Sequence, residues 1–327
     1  MPTSRGFVLE AFGPPEVLRL MERELPTPGA GEVLVGVEAS GVNFGDTMIR
    51  RGEYLRDQSL SMAPGAEVVG RIEAIGPNTD VTVGARVAGW VEAGGGYADH
   101  VVVPAHRVYP VPEDLPAAAI VAVFLQGTTA YYAVHRFGRV RPGEAVLVHG
   151  GSGGVGGLTI QLAVAAGARV LATAGSETKR ALCLEYGAEA AYDSHDVDAL
   201  TSSVREGTGG RGCDVVVDGV GGPLFMPSLR ALAACGRYVV VGSASQAPAT
   251  FDARHLLPRS QTVCGFILHH IAEADPAEPT RAIQHLCDLV RSGSLRPRYE
   301  TIPLDQAPDV HRAIEDRTLI GKIVLLP

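Results

Sequence analysis

Between Gly143 and Lys179 the chain reads GEAVLVHGGSGGVGGLTIQLAVAAGARVLATAGSETK. Few folds accept such a stretch. A short β-branched apolar run, Ala145–His149, leads into Gly150–Gly157, which is too rich in glycine for a regular element. Val155, Leu158 and Leu162 then recur at helical spacing, and Arg169–Thr173 reads as a second strand. Within this strand–turn–helix–strand unit, Gly151-x-Gly153-x-x-Gly156 matches the dinucleotide fingerprint. Glycines at those positions allow a tight reversal, close approach of backbone to a pyrophosphate, and helix–strand packing. The helix N-terminus adds unpaired N–H groups and partial positive charge aimed at the same anion. Gly151, Ser152, Gly153, Gly154, Val155 and Gly156 are therefore expected to hold a dinucleotide. A second match, Gly207-x-Gly209-x-x-Gly212, precedes the strand Asp214–Asp218 instead of following one, and reads as a plain loop. No Lys-Ser/Thr pair follows the glycines, which excludes a P-loop.

The rest of the chain divides around this unit. Its 327 residues suggest about two domains. Up to residue 123, short β-branched runs (Val33–Ala39, Val68–Ile75, Arg86–Val91, His100–Val103) alternate with Pro-Gly and Gly-rich turns, implying a mostly β, partly barrel-like domain. The apolar run Pro116–Phe137 reads as a helix leading out of it, interrupted at Gln126-Gly-Thr-Thr. Over 124–268 strands alternate with helices: Glu177–Tyr186, Asp214–Asp218, a helical insert Leu224–Ala234, Arg237–Val241 and about Gln261–Ile267. That alternation implies a doubly wound parallel sheet, so the fold class is α/β. Strand ends at Asp218-Gly219 and Val241-Gly242 should line the cofactor site, because ligands of such sheets lie beyond the carboxyl ends of the strands. Residues 269–327 carry two amphipathic helices, Pro279–Ser292 and Gln306–Arg317, and a closing strand Lys322–Leu326, expected to return to the first domain.

Composition narrows the function class. With 46% hydrophobic and 20% charged residues this is ordinary globular material. A net charge of −8 without a basic run argues against a nucleic-acid partner. The N-terminus lacks the apolar core of a signal peptide, and no uninterrupted apolar run reaches about 18 residues, so no membrane association is expected. Five scattered cysteines in no metal-ligand spacing suggest buried free thiols and a reducing, cytoplasmic location. His149 is expected to be buried against the sheet. His269-His270 looks metal-like in isolation but lacks a third donor nearby.

The cofactor can be narrowed from the second strand. NAD-specific folds place an acid near its end, to hydrogen-bond the ribose 2′-OH. Here that position is about Ala174, and Gly175, Ser176 and Lys179 offer backbone, hydroxyl and ammonium donors to a 2′-phosphate. NADPH is the expected cofactor. Glu177, the nearest acid, begins a helix and should face solvent at the positive dipole end.

Taken together, SGVNFGDTMIRRGEY (Ser40–Tyr54), PGAEVVGRIEAIG (Pro64–Gly76), GARVAG (Gly84–Gly89), GGYADHVVV (Gly95–Val103), QGTTAYYA (Gln126–Ala133), the fingerprint, GCDVVVDGVGG (Gly212–Gly222) and GKIVLLP (Gly321–Pro327) resemble the medium-chain dehydrogenase/reductase superfamily, in its zinc-independent quinone oxidoreductase-like branch. The resemblance implies a GroES-like catalytic domain built from both chain ends, a Rossmann cofactor domain, and a homodimer. Zinc-dependent relatives carry metal ligands where this chain has Asn43, Ala66 and Leu125; Ala and Leu cannot donate, so no zinc is expected. The resemblance further implies catalytic roles for Asn43, whose amide would face the nicotinamide or the substrate oxygen, for Asp46, and for Tyr54, which would line the pocket. For Asp46 a helix cap or an acceptor for Arg50 is the alternative, and Glu67 is expected to be structural. It places Thr129, Gly242, Ser243, Phe266 and Leu268 near the nicotinamide, and Lys322 near the pyrophosphate, with a surface lysine as the alternative. Many relatives have a cofactor-contacting Tyr where this chain has Ser194.

Without a metal, hydride transfer to a quinone or to the β-carbon of an enone or enal fits best. Hydrogen-bond donors would stabilise the charge developing on the carbonyl oxygen. The expected function is an NADPH-dependent quinone or enone reductase. The alternatives are an enoyl thioester reductase of the same superfamily and a low-turnover NADPH-binding sensor or structural protein.

Overall fold

The computed structural model describes residues 2–54 and 63–327. It divides into two compact units: the chain up to Leu125 together with Pro276–Pro327, and Gln126–Asp275. The second crossing falls later than residue 268 because the helix Leu268–Ala274 belongs by contact to the second unit.

In the second unit six strands form one parallel sheet. They are β1 (Ala145–Val148), β2 (Arg169–Ala174), β3 (Ala190–Asp193), β4 (Cys213–Asp218), β5 (Leu232–Val240) and β6 (Thr262–Gly265). Their spatial order is β3-β2-β1-β4-β5-β6. Every residue of β1 and β4 is buried, as expected of central strands covered on both faces; β1 reads as a continuous apolar run, and β4 carries the apolar Val215–Val217 between Asp214 and Asp218. The edge strand β3, AAYD, is only half-buried throughout and lacks such a run, which is why the sequence gives it no clear signal. The order reverses between β1 and β4, the topological switch point at which such sheets bind ligands. Helix α1 (Gly154–Ala165) follows β1, and helix α2 (Glu177–Glu185) follows β2.

Two sequence expectations shift here. The helical insert stops at Ala231, because Leu232 turns to extended backbone and opens β5, so Leu232–Ala234 are strand. In the run Pro116–Phe137 the break lies at Phe124, whose ψ of −84° ends the helix Ala117–Val123; Gln126-Gly-Thr-Thr itself is helical, within Leu125–Tyr132. The stretch Ala117–Phe137 is long and apolar enough to cross a membrane by length and composition. Its most apolar window is 72% buried within the protein, as in a core helix. Gly207–Gly212 is a helix end and loop, with positive φ at Gly209, Gly210 and Gly212.

The first unit is built on a seven-stranded sheet in the order Tyr299–Pro303, Lys322–Leu326, Glu32–Val42, Glu67–Ile75, Arg86–Trp90 and Val108–Pro110, with His100–Pro104 also pairing onto Glu32–Val42. A separate antiparallel pair joins Thr3–Leu9 to Leu18–Glu24. The long strand Glu32–Val42 therefore holds three neighbours: Glu67–Ile75, His100–Pro104 along its first half, and the closing strand at its end. The chain terminus thus returns to the first unit. Its core gathers Val33, Val35, Val68, Val87 and Val103 on one side, and Ala39, Val69, Ile120, Phe124, Ile283 and Val324 on the other.

The tight packing of α1 on the β1 turn is testable. A Cβ at Gly156 would run into the carbonyl of Gly150, a backbone atom that cannot swing aside. Gly156→Ala should therefore destabilise the second unit by about 1–3 kcal/mol through overpacking. Thermal or urea melting followed by circular dichroism would read this, with Gly143→Ala as a contrast that strains φ without a steric neighbour.

Candidate functional site

Three strand ends converge in the first unit. Glu32–Val42 delivers Asn43 to the start of the helix Phe44–Arg51, Glu67 opens its antiparallel neighbour, and Ile323 pairs with Val42 so that Lys322 arrives beside them. Asn43 and Lys322 meet across 279 residues of sequence. The Lys322 ammonium donates to Glu67 Oε1 and, at 2.8 Å, to Asn43 Oδ1. Asn43 Nδ2 donates to the same Glu67 Oε1 at 2.8 Å, and Glu67 Oε2 accepts from the Leu125 backbone N–H at 3.0 Å. Both ions are sealed from water, with side chains 0% and 1% exposed for Glu67 and Lys322. Gly41 makes this possible, since any Cβ there would collide with the Glu67 carboxylate. A buried pair of this kind holds because every charge has a partner and the remaining lone pairs are satisfied.

The same residues bear on the expectation of no zinc. Of the three positions where zinc-dependent relatives carry ligands, Ala66 and Leu125 have no donor side chain, and the Asn43 amide is engaged by an ammonium and a carboxylate. This donor set does not fit a catalytic zinc ion.

Asp46 sits one layer deeper. Its Oδ2 accepts from Asn43 N at 2.7 Å and from the Tyr97 hydroxyl at 3.0 Å, and its Oδ1 accepts from Gly65 N at 3.1 Å. The carboxyl is 1% exposed. Burial pushes its pKa above the ordinary carboxylate range, against the opposing pull of these hydrogen bonds and of Lys322. Asp46 is thus a helix-start brace rather than an acid facing solvent. Its partners are Gly65 and Tyr97; Arg50, the alternative partner, pairs instead with Glu315. The Tyr97 hydroxyl in turn lies 3.3 Å from His311 Nε2, and burial together with Asp46 holds its pKa well above the ordinary phenol value. Burial, with Arg50 adding, pushes His311 down to about 3, so this imidazole is neutral in the folded chain. Tyr97 and His311 carry no sequence signal of a role, because only the fold brings a loop and the helix Ala307–Glu315 to Asp46. Tyr54 is 37% exposed and lies over the first turn of the helix, near Gly45.

In the second unit, the turn after β1 places the fingerprint at the carboxyl edge of the sheet. The tight reversal is made by Gly150 at φ 65°, one residue ahead of the motif. Gly151 faces Cys183, Ile160 and Ala172, where a Cβ would crowd all three, and Gly153 caps α1. Gly154 lies under the Gln126 amide, and Gly156 gives α1 its close seat on the turn. Ser152 is buried, while Gly153, Gly154 and Val155 are half-buried. Along the same edge, β2 ends at Ala174; Gly175 and Ser176 are exposed, and Ser176 caps α2 by accepting from Lys179 N at 3.3 Å. Glu177 is exposed at the helix start. Asp193, the acid ending β3, is paired with Arg180 at 3.1 Å, and His195 and Ser194 border Gly175. Arg180 and His195 went unnoticed in the sequence because β3 was too weak a strand to place them.

Gly219, Gly242 and Ser243 follow β4 and β5 on this edge, where Gly219 O accepts from Ala244 N at 3.0 Å. The Asp218 carboxylate is turned into its own loop: it accepts from Val220 N, Gly221 N and, at 2.6 Å, the Tyr238 hydroxyl. Phe266 stacks on Phe137 at 4.5 Å, edge-on to Tyr132, and Leu268 begins the helix that follows. Thr129 is half-buried on the helix Leu125–Tyr132. Lys322, grouped by the sequence with these cofactor residues, lies in the first unit in its ion pair, which rules out the surface-lysine alternative. His149 is buried as expected, between Thr173 Oγ1 at 2.8 Å and Ser228 Oγ at 2.7 Å. Cys235 is exposed, contrary to the expectation that the thiols are buried, because it sits at φ 57° in an irregular part of β5.

Two family models match the chain: an alcohol dehydrogenase GroES-like domain over residues 29–113, and a zinc-binding dehydrogenase over residues 154–285. The quinone oxidoreductase of Lama guanicoe is 32% identical over 98% of this chain and 97% of its own length. A mycobacterial protein complexed with NADPH is similar at a TM-score of 0.91 and 34% identity, covering 99% of this chain and 100% of that one. Escherichia coli quinone oxidoreductase complexed with NADPH is similar at a TM-score of 0.92 and 29% identity, again over 99% and 100%.

Two measurements test the first-unit network. Lys322→Met strands the Glu67 carboxylate and should cost about 3–5 kcal/mol, whereas Lys322→Met with Glu67→Gln should recover much of that loss; urea unfolding of the two variants separates them. His311 should add a pH dependence. Its folded pKa lies below that of the unfolded chain, so the unfolded chain binds the extra proton between about 6.5 and about 3. The stabilisation is therefore complete above about pH 6.5 and is lost as pH falls through that window. His311→Gln should flatten this part of the urea midpoint–pH profile.

Proposed function

As the chain belongs to the medium-chain dehydrogenase/reductase superfamily, in its quinone oxidoreductase-like branch, we propose that it is a zinc-independent, NADPH-dependent reductase of small quinones or α,β-unsaturated carbonyls. The observation that carries the reading is the buried Lys322–Glu67–Asn43 network. Its Asn43 stands at one position where zinc-dependent relatives carry a ligand and its amide is engaged by Glu67 and Lys322, while Ala66 and Leu125 have no donor side chain, which supports a reaction without a Lewis acid there. A hydride acceptor that needs no metal is one whose charge can be met by hydrogen bonds alone, which favours conjugate reduction and quinone reduction.

NADPH, when bound, supplies the hydride. The chain's own residues hold and orient it. The Gly151–Gly156 turn and the α1 N-terminus take the pyrophosphate. Beyond β2 the 2′-phosphate would meet Gly175 and Ser176 backbone and hydroxyl donors and the Lys179 ammonium. The nearest acid of β3, Asp193, is neutralised by Arg180, which supports a phosphate over a bare ribose hydroxyl. Asp46, Tyr97 and His311 hold the helix that starts at Asn43, and so act as positioning residues. Relatives named for quinone reduction, and solved neighbours complexed with NADPH, support both parts of the proposal.

The test is oxidation of NADPH against quinones, 2-alkenals, enones and enoyl thioesters. Turnover with quinones or enals supports the reading; turnover confined to enoyl thioesters would move the chain to the neighbouring reductase class, and none at all to a binding role. kcat/KM should favour NADPH over NADH. Lys179→Ala should raise KM for NADPH about tenfold, roughly 1.4 kcal/mol, with little effect on NADH.

A further inference from the structure

Among the described residues, one group of histidine and carboxylate donors has its ligand atoms all within 4.8 Å of one another: His269, His270 and Glu273. All three lie on α3 (Leu268–Ala274), the last helix of the second unit. The sequence shows the two histidines side by side, and adjacent helical residues point about 100° apart. Glu273 stands four residues after His269 and three after His270, the two spacings that bring side chains together on a helix surface. His269 Nε2 lies 2.9 Å from Glu273 Oε1, and His270 Nδ1 lies 3.1 Å from Glu273 Oε2. Glu273 is therefore a third donor placed between two imidazoles.

We propose that His269, His270 and Glu273 form a binding site for a divalent transition-metal ion on the surface of the second unit. Each of the three residues offers one ligand atom, and these atoms lie within 4.8 Å of one another, close enough for side-chain rotation to bring them to the about 2.0–2.1 Å that such ligands keep from an ion. Two imidazoles and one carboxylate select Zn²⁺, Ni²⁺, Co²⁺ or Cu²⁺ over the oxygen-seeking Mg²⁺ and Ca²⁺. Water completes the coordination shell, since the His270 side chain is 72% exposed and the Glu273 side chain 54%. The site shares no residue with the Asn43, Ala66 and Leu125 positions of zinc-dependent relatives. Its consequence is mechanical: an ion would clip together consecutive turns of a seven-residue helix that is too short to be stable by itself. That helix directly follows Phe266, in the segment expected to meet the nicotinamide.

Tag-free, full-length protein stripped with a chelator should be titrated calorimetrically with Ni²⁺ and, separately, Zn²⁺. Co²⁺ absorption would report the nitrogen and oxygen ligand field. One ion per chain is expected, with affinity reduced about tenfold or more in each of His270→Ala and Glu273→Gln. An excess of Mg²⁺ should not displace the ion. The chain has 10 histidines, so binding that persists unchanged in both variants would place the ion elsewhere and overturn the proposal, as would absence of stoichiometric binding in the parent chain. Circular dichroism melting of the metal-free variants, expected to match the parent, separates lost ligands from lost fold.

Discussion

The buried ion pair between Glu67 and Lys322 is the constraint on which the first unit depends. Two charges taken out of water cost several kcal/mol each unless they find each other and their remaining polar atoms are satisfied. Here the carboxylate is shared by an ammonium, an amide and a backbone N–H, and the amide's oxygen returns to the same ammonium. Satisfying them all requires the closing strand Lys322–Leu326 to lie against Glu32–Val42, with Ile323 opposite Val42. The pair therefore fixes a register as well as a charge.

Around that pair the support is layered. Asp46 braces the helix start through Asn43 and Gly65, Tyr97 binds Asp46, and His311 abuts Tyr97 as a neutral ring. Each group is buried, and each accordingly has a shifted titration or a matched partner. The second unit is organised differently. Its edge is made of backbone: glycine positions whose missing Cβ lets carbonyl, amide and helix end come close, and loops tied by Asp218 and Tyr238. A pyrophosphate asks for N–H groups at short range, and backbone supplies them without a charged side chain.

Legibility in the sequence followed the locality of the physics. The strand–turn–helix around Gly151–Gly156 was readable because its signal lies within about a dozen residues and each glycine has a steric reason. The central strands were readable because burial on both faces leaves apolar runs, Ala145–Val148 whole and Val215–Val217 between two buried aspartates. The edge strand Ala190–Asp193 had no such pressure, and with it Arg180 and His195 escaped notice. Helix ends moved for local reasons that composition does not record, as at Phe124 and Leu232.

The sequence by itself determined the parallel-sheet unit, its dinucleotide turn, and the absence of donor side chains at Ala66 and Leu125, since each is a matter of which residues stand at neighbouring positions. Tertiary structure alone decided the partners of the charged groups. Lys322 became the counter-ion of Glu67 instead of a surface residue, and Asp46 became a brace tied to Gly65 and Tyr97. A charge takes its role from whatever lies within a few ångströms, and across 255 residues of chain only the folded sheet sets that distance.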